Sequence, residues 1–201
     1  MIEDLLAELG AGNKFFAKID LQATYNQVKL TRSSQPLTTI VTHVGTFMYT
    51  VMPFGVKTAP SAFQRIMKNS LVGCSKTLCY LDDILVAGSS VAELKFNLNK
   101  VKQKLKDKNI LINEDKSVNL SEEISWLGYH ISEVGIKPDP DKAMKIQEWK
   151  TPKSVPELRH QLGMVNYYQR YIPKMATISE PRHRLLRKGV KWTWGRTEEK
   201  S

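Results

Sequence analysis

The chain has 201 residues, 41% of them hydrophobic, and carries a net charge of +10 from 30 Lys and Arg against 20 Asp and Glu. That suffices for one large domain or two small ones, and the absence of a signal peptide or a long apolar run points to an intracellular protein, cytoplasmic or nuclear, neither secreted nor membrane-bound. Cys74 and Cys79 have no metal-ligand spacing with any His and read as reduced thiols, which speaks against a disulfide framework and against zinc.

In chain order, apolar residues at Ile2, Leu5, Leu6 and Leu9 have helical spacing, ended by Gly10 and Gly12. Phe15 to Leu21 is a short apolar run closing on a carboxylate, the pattern of a buried strand that carries Asp20. Residues 37–52 mix Thr, Val, Ile, Phe and Tyr around Gly45 and predict a pair of strands with a turn. Pro53 to Gly55 is a loop, and Pro60 opens a helix to about Leu71 with Ala62, Phe63, Ile66, Met67 and Leu71 inward. Leu78–Tyr80 and Ile84–Val86 are short β-prone arms either side of Asp82-Asp83, a hairpin with two acids at its tip.

A helix follows over 91–108, its six lysines on the face opposite Leu94, Leu98, Val101 and Leu105. Strands are expected around Ile110–Ile112 and Trp126–Ile131. Pro138 and Pro140 mark a boundary, after which three helices are expected, about 141–150, 155–171 and 174–188. Ser154-Val155-Pro156-Glu157 begins the second with a capping-box pattern. Residues 151–201 hold eleven Lys and Arg and four Glu, a local +7. Such a surface attracts polyanions, with plain solubility as the alternative. Mixed strands and helices followed by helices alone predict an α+β domain over 1–137 and a small helical domain over 138–201.

Asp20, Asp82 and Asp83 are the candidate metal ligands. Adjacent carboxylates repel and are costly to desolvate, and a hard divalent cation with oxygen ligands removes that conflict. A lone Asp-Asp more often makes a turn, and an Asp ending Ile-Asp is more often a strand terminus. The whole set in order changes that balance. FAKIDLQATYNQV (16–28), MPFGVKTAPSAFQRIM (52–67) and YLDDILVAG (80–88) resemble the first three motifs of the reverse transcriptases of gypsy-type LTR retrotransposons. WLGYHIS (126–132) resembles their primer-grip strand pair, and LRHQLGMVNYYQRYIPKM (158–175) the helical segment beyond it.

The resemblance implies a polymerase palm, an antiparallel sheet with packed helices and part of the fingers, followed by a helical thumb or connection. It implies RNA-directed DNA synthesis by two magnesium ions, with manganese as a substitute. The ligands would be Asp20, Asp82, Asp83 and the backbone carbonyl of Leu21. The partners implied are an RNA or DNA template with its DNA primer, deoxynucleoside triphosphates, and other segments of a Pol polyprotein. Tyr25 falls where the family excludes a ribose 2′-hydroxyl, and Phe54 and Gly55 where it covers the nascent base pair. Lys116 falls near the lysine that protonates leaving pyrophosphate. Tyr80, Trp126, Leu127, Gly128 and Tyr129 would meet primer or template, and Arg159, Arg170 and Lys174 the phosphates.

Measured against that pattern, the earlier fingers segment and the later ribonuclease H domain are missing, so weak or no activity is expected of this piece alone. Asn26 replaces a His, and Ala23-Thr24 replaces a Ser-Gly pair. Gln161 and Arg182 stand at usually apolar helix positions, where an unsatisfied polar group costs roughly 1–3 kcal/mol. Two other readings remain: a catalytically inactive nucleic-acid-binding remnant, and another palm-type enzyme such as an RNA-templated RNA polymerase or a nucleotide cyclase. Tyr25 and the MPFG motif speak against the last.

Overall fold

The computed structural model describes residues 9–201; the helix expected over residues 2–9 lies, but for its last residue, outside the described residues, as do the side chains of Lys145, Gln147 and Arg170. Two compact units are formed. One runs up to Leu127 and takes in Ile131–Gly135; the other consists of Gly128–His130 and Ile136–Ser201.

The first unit is built on a four-stranded antiparallel sheet of β1 (Phe15–Leu21), β4 (Thr77–Tyr80), β5 (Asp83–Gly88) and β6 (Ile112–Ser121), in the order β4-β5-β1-β6. Its helices are α1 (Ala59–Ser70) and α2 (Val91–Asp107). Side chains alternate along a strand, and β1 uses both sides. Ala17, Ile19 and Leu21 join Ile84 and Val86 in a core with Phe63 and Met67 of α1 and Leu94, Leu98, Val101 and Leu105 of α2. Lys18 and Asp20 therefore emerge on the sheet face turned away from the helices. Close packing at the β5–α2 connection depends on Gly88, where a Cβ would lie 2.5 Å from the backbone nitrogen of Leu94.

Elsewhere the expected elements shift. The strand pair of 37–52 is a small hairpin, β2 (Ile40–Thr42) and β3 (Gly45–Phe47), exposed throughout. The strand expected at 110–112 begins at Ile112 and continues through the polar run to Ser121. Its pairing with β1 holds that run in place although it lacks an apolar alternation: Asp20 pairs with Asn113 and Lys18 with Val118, so residues 114–117 bulge. The segment expected as a strand over 126–131 is two strands, β7 (Glu123–Trp126) and β8 (Tyr129–Ser132), joined at Leu127 and Gly128, both with positive φ. With β9 (Gly135–Pro138) they make a sheet ordered β7-β8-β9.

The second unit contains α3 (Pro140–Gln147), α4 (Val155–Asn166), α5 (Met175–Arg184) and a closing turn of helix, α6 (Arg196–Glu199). Ser154 caps α4 by accepting the N–H of Glu157. The helix expected over 155–171 stops at Asn166 and resumes as a 3-10 turn at Gln169–Tyr171. Leu158, Leu162 and Leu185 form a small core with Leu186, Trp192 and Trp194 around it. The two polar departures on these helices are both satisfied. Gln161 donates to the carbonyl of Lys150 at 2.9 Å. Arg182 donates to the carbonyl of Glu198 at 3.0 Å and stacks 5.4 Å above the Trp194 ring.

Candidate active site

Asp20 is the last polar residue of β1, and the ladder places its Cα opposite that of Asp83 on β5. Asp82 precedes Asp83 in the turn from β4. Two long-range contacts fix these backbones. The N–H of Asp20 donates to Oγ of Ser117 at 3.1 Å, and that hydroxyl donates to the carbonyl of Asn113 at 2.6 Å, so the β6 bulge braces the end of β1. The tip of the β4–β5 turn is held by Gln64 of α1, which accepts the N–H of Leu81 at 2.6 Å and donates to the carbonyl of Cys79 at 2.8 Å. This bidentate clamp stabilises Leu81 at φ 55, a left-handed value that a leucine adopts at a cost.

The carboxylates themselves are half-buried. Asp82 Oδ2 accepts a hydrogen bond from Thr24 Oγ1 at 3.1 Å, and Asp83 Oδ1 lies 2.8 Å from Nζ of Lys18. Behind the turn, burial first and then the negative charges of Asp82 and Asp83 push the Cys79 thiol up to about 12, which keeps it neutral.

Magnesium takes oxygen ligands in near-octahedral geometry. Three carboxylates and the carbonyl of Leu21 supply the right donor chemistry, and the β1–β5 register brings their backbones together. The expected closure of all three side chains is not formed. Among the described residues, no three His, Cys, Asp or Glu side chains make a metal-holding group. Lys18 and Thr24 each engage one oxygen of a carboxylate, Oδ1 of Asp83 and Oδ2 of Asp82, and the second oxygen of each takes no part in those contacts.

Tyr25 lies in the 3-10 turn after β1 and packs edge-on between Phe54 at 5.2 Å and Phe63 at 5.5 Å. The backbone at Gly55, φ 87, has nothing within 4 Å of where a side chain would be, and Phe54 is exposed. Tyr80 is the β4 partner of Asp83. Lys116 stands exposed in the β6 bulge. Trp126 is buried, its indole N–H without a hydrogen-bond partner among the described residues.

In the second unit, the Gly128 carbonyl accepts the N–H of Asp139 at 3.1 Å and the hydroxyl of Tyr168 at 3.3 Å. Tyr129 is buried against the rings of Tyr167, Tyr168 and Tyr171. Arg159 is exposed on α4, and Lys174 is exposed at the N-cap of α5. Sequence reasoning did not single out Lys18, Gln64, Ser117 or Tyr168. Lys18, Gln64 and Tyr168 each lie inside a motif already noted, whereas Ser117 lies outside all of them.

Comparison with known proteins agrees with this geometry. The chain matches the family described as reverse transcriptase (RNA-dependent DNA polymerase) over residues 3–131. It is 37% identical over 201 residues to the transposon Tf2-3 polyprotein of Schizosaccharomyces pombe, and 36% identical over 200 residues to the Tf2-7 polyprotein of that yeast. The alignments take in 98% of this chain and 15% of each polyprotein, so the chain spans a small part of these relatives. Among solved structures, the foamy viral protease-reverse transcriptase dRH in complex with double-stranded DNA superposes with a TM-score of 0.89 at 25% identity, over 97% of this chain and 35% of that one. The foamy viral protease-reverse transcriptase in complex with RNA/DNA hybrid gives 0.83 at 26% identity, over 94% and 26%. With its antiparallel sheet, packed helices and acidic turn, the chain belongs to the reverse transcriptase family.

Proposed function

We propose that this chain is the palm, with a helical thumb or connection from about residue 138, of the reverse transcriptase in a gypsy-type retrotransposon Pol polyprotein. Its reaction is nucleotidyl transfer: the primer 3′-hydroxyl attacks the α-phosphorus of a deoxynucleoside triphosphate and pyrophosphate leaves. The observation that carries this reading is the register of Asp20 against Asp83, with Asp82 at the adjoining turn, on the sheet face away from the helices.

Two magnesium ions, or manganese, would supply Lewis-acid activation and charge neutralisation when bound. Asp20, Asp82, Asp83 and the carbonyl of Leu21 are the residues that would hold them. Phosphoryl transfer otherwise asks the protein for position and charge. Tyr25, braced between two phenylalanines, presents a rigid edge suited to rejecting a 2′-hydroxyl. Gly55 allows close backbone approach to the nascent pair. Lys116, in the bulge beside β1, is a cation for the leaving pyrophosphate. Tyr80, Trp126, Leu127, Gly128 and Tyr129 are each residues that would meet primer or template, and Arg159, Arg170 and Lys174 residues that would meet duplex phosphates. Duplex partners are supported by the DNA and hybrid complexes of the foamy viral enzymes.

The test is primer extension on a DNA-primed RNA template in Mg2+, with the chain alone and fused to the upstream segment of a transposon relative. Incorporation abolished by Asp20→Asn and by Asp82→Asn, with duplex binding retained in both, is expected. Duplex binding without incorporation by either unmutated form would overturn the polymerase reading in favour of a binding-only remnant.

A further inference from the structure

The β1–β5 register sets the backbone of Asp20 opposite that of Asp83, with Asp82 next to it in the turn, and like charges held near one another destabilise one another. The sheet answers with one cation. Lys18 sits two residues before Asp20 on the same face of β1, and its cross-strand partner on β5 is Leu85, two residues after Asp83. The ammonium thus reaches diagonally along the β1–β5 ladder to Asp83 Oδ1 at 2.8 Å, both side chains only about a quarter exposed at 26% and 27%. Among the described residues this is the only ion pair made by the three acids.

We propose that Lys18 is the resident counter-cation of the site, neutralising Asp83 when no divalent ion is bound and competing with that ion for Asp83 when one is. It is a positioning residue: it acts through Asp83 and touches no substrate. The proposal rests on the reading of Asp20 and Asp82 as metal ligands. A fixed positive charge beside a ligand oxygen lowers the affinity for a further cation. Lys18 thereby holds the acidic turn together between catalytic cycles and weakens the grip on the ion. Removing its charge leaves Asp83 unpaired in the metal-free protein, so the fold then draws more stability from a divalent ion than before.

The experiment titrates Mn2+ by electron paramagnetic resonance and follows the Mg2+-induced rise in Tm for the full chain, Lys18→Met, Lys18→Arg and Asp20→Asn. Lys18→Met should bind Mn2+ roughly fivefold more tightly, as expected for loss of a partly exposed ion pair, and show a larger Mg2+-induced rise in Tm. Lys18→Arg should behave as the unmutated chain. If Lys18→Met does not fold even in Mg2+, Lys18→Gln takes its place with the same expectation. Unchanged or weaker Mn2+ binding in the neutral variant, while Asp20→Asn abolishes binding, overturns the role of Lys18 and leaves the metal site standing. Mn2+ binding that survives Asp20→Asn overturns the metal site itself, and the proposal with it.

Discussion

Thr24 Oγ1 donates a hydrogen bond to Asp82 Oδ2 at 3.1 Å, joining the turn after β1 to the tip of the acidic hairpin 58 residues later. Thr24 is one of the positions where the sequence departs from the family pattern, and it is buried. The hydroxyl fixes one oxygen of Asp82 and so biases the other. Thr24→Val keeps the shape and removes the donor; a hydrogen bond to a charged group is worth roughly 1.5–3 kcal/mol. On the proposed nucleotidyl transfer, the extension rate at saturating nucleotide, measured on the chain fused to the upstream segment of a transposon relative, should fall by about tenfold or more, and Thr24→Ser should restore most of it. A Thr24→Val rate equal to that of the unmutated protein would show that Asp82 is oriented without this bond.

The Tyr168–Gly128 hydrogen bond makes a similar prediction for the helical unit. Gly128 adopts φ 84, and a Cβ there would lie 3.0 Å from Nζ of Lys142 and 3.2 Å from the Tyr168 hydroxyl. Tyr168→Phe keeps the ring cluster and should cost about 1 kcal/mol, because the carbonyl still accepts the N–H of Asp139. Gly128→Ala adds left-handed strain of roughly 1–2 kcal/mol to the same loss of fit. If the proposed role of this turn at the primer holds, fluorescence anisotropy on a primer–template duplex should rank affinity as unmutated, then Tyr168→Phe, then Gly128→Ala. If Gly128→Ala binds as well as the unmutated chain, this turn does not position the primer.

How much of this was legible in the sequence follows from the range of the forces involved. β1 and the acidic hairpin could be read because apolar alternation and turn chemistry are local, and the two α+β helices because their apolar spacing is. β6 was placed early, since Asn113, Glu114, Asp115 and Lys116 have no apolar rhythm; the bulge is imposed by pairing with β1. The fate of Gln161 and Arg182 depended on partners 11 and 16 residues away, invisible to helical periodicity. For the site, residue types pointed to Asp20, Asp82 and Asp83, but the side chains that hold them did not stand out. Lys18 was one basic residue among 30, and Ser117 lies 97 residues from the amide it braces.

Gly88 ties the end of β5 to the start of α2. A methyl group there would stand 2.5 Å from the Leu94 nitrogen and 2.8 Å from its Cα, both backbone atoms that cannot swing aside. Gly88→Ala must therefore push α2 off the sheet, at roughly 3 kcal/mol by comparison with overpacked cores. A lower urea midpoint at unchanged slope is expected. Since α2 packs on β1 and β5, which carry Asp20 and Asp83, the proposed extension activity should fall with it. A midpoint within error of the unmutated protein would mean that the helix has more freedom here than its packing indicates.

Glu93, in the first turn of α2, supplies a pH dependence with a definite sign. Its carboxylate accepts bonds from the hydroxyl and N–H of Ser89 and pairs with Lys76 at 2.9 Å. The Ser89 hydroxyl bond first, then Lys76, brings its pKa from 4.5 down to about 2. A carboxyl whose folded value lies below its unfolded one stabilises the fold fully above the unfolded value, and that contribution is lost as pH falls through the folded one. Glu93 should therefore contribute unchanged stability above pH 4.5 and a declining share from there toward pH 2. Glu93→Gln removes the titrating group, so its stability should fall less steeply with acid over that window, the two curves converging at the acidic end. Chemical denaturation repeated across pH values checks this; parallel curves for the two proteins would show that the Ser89–Lys76 cradle does not hold the charged form.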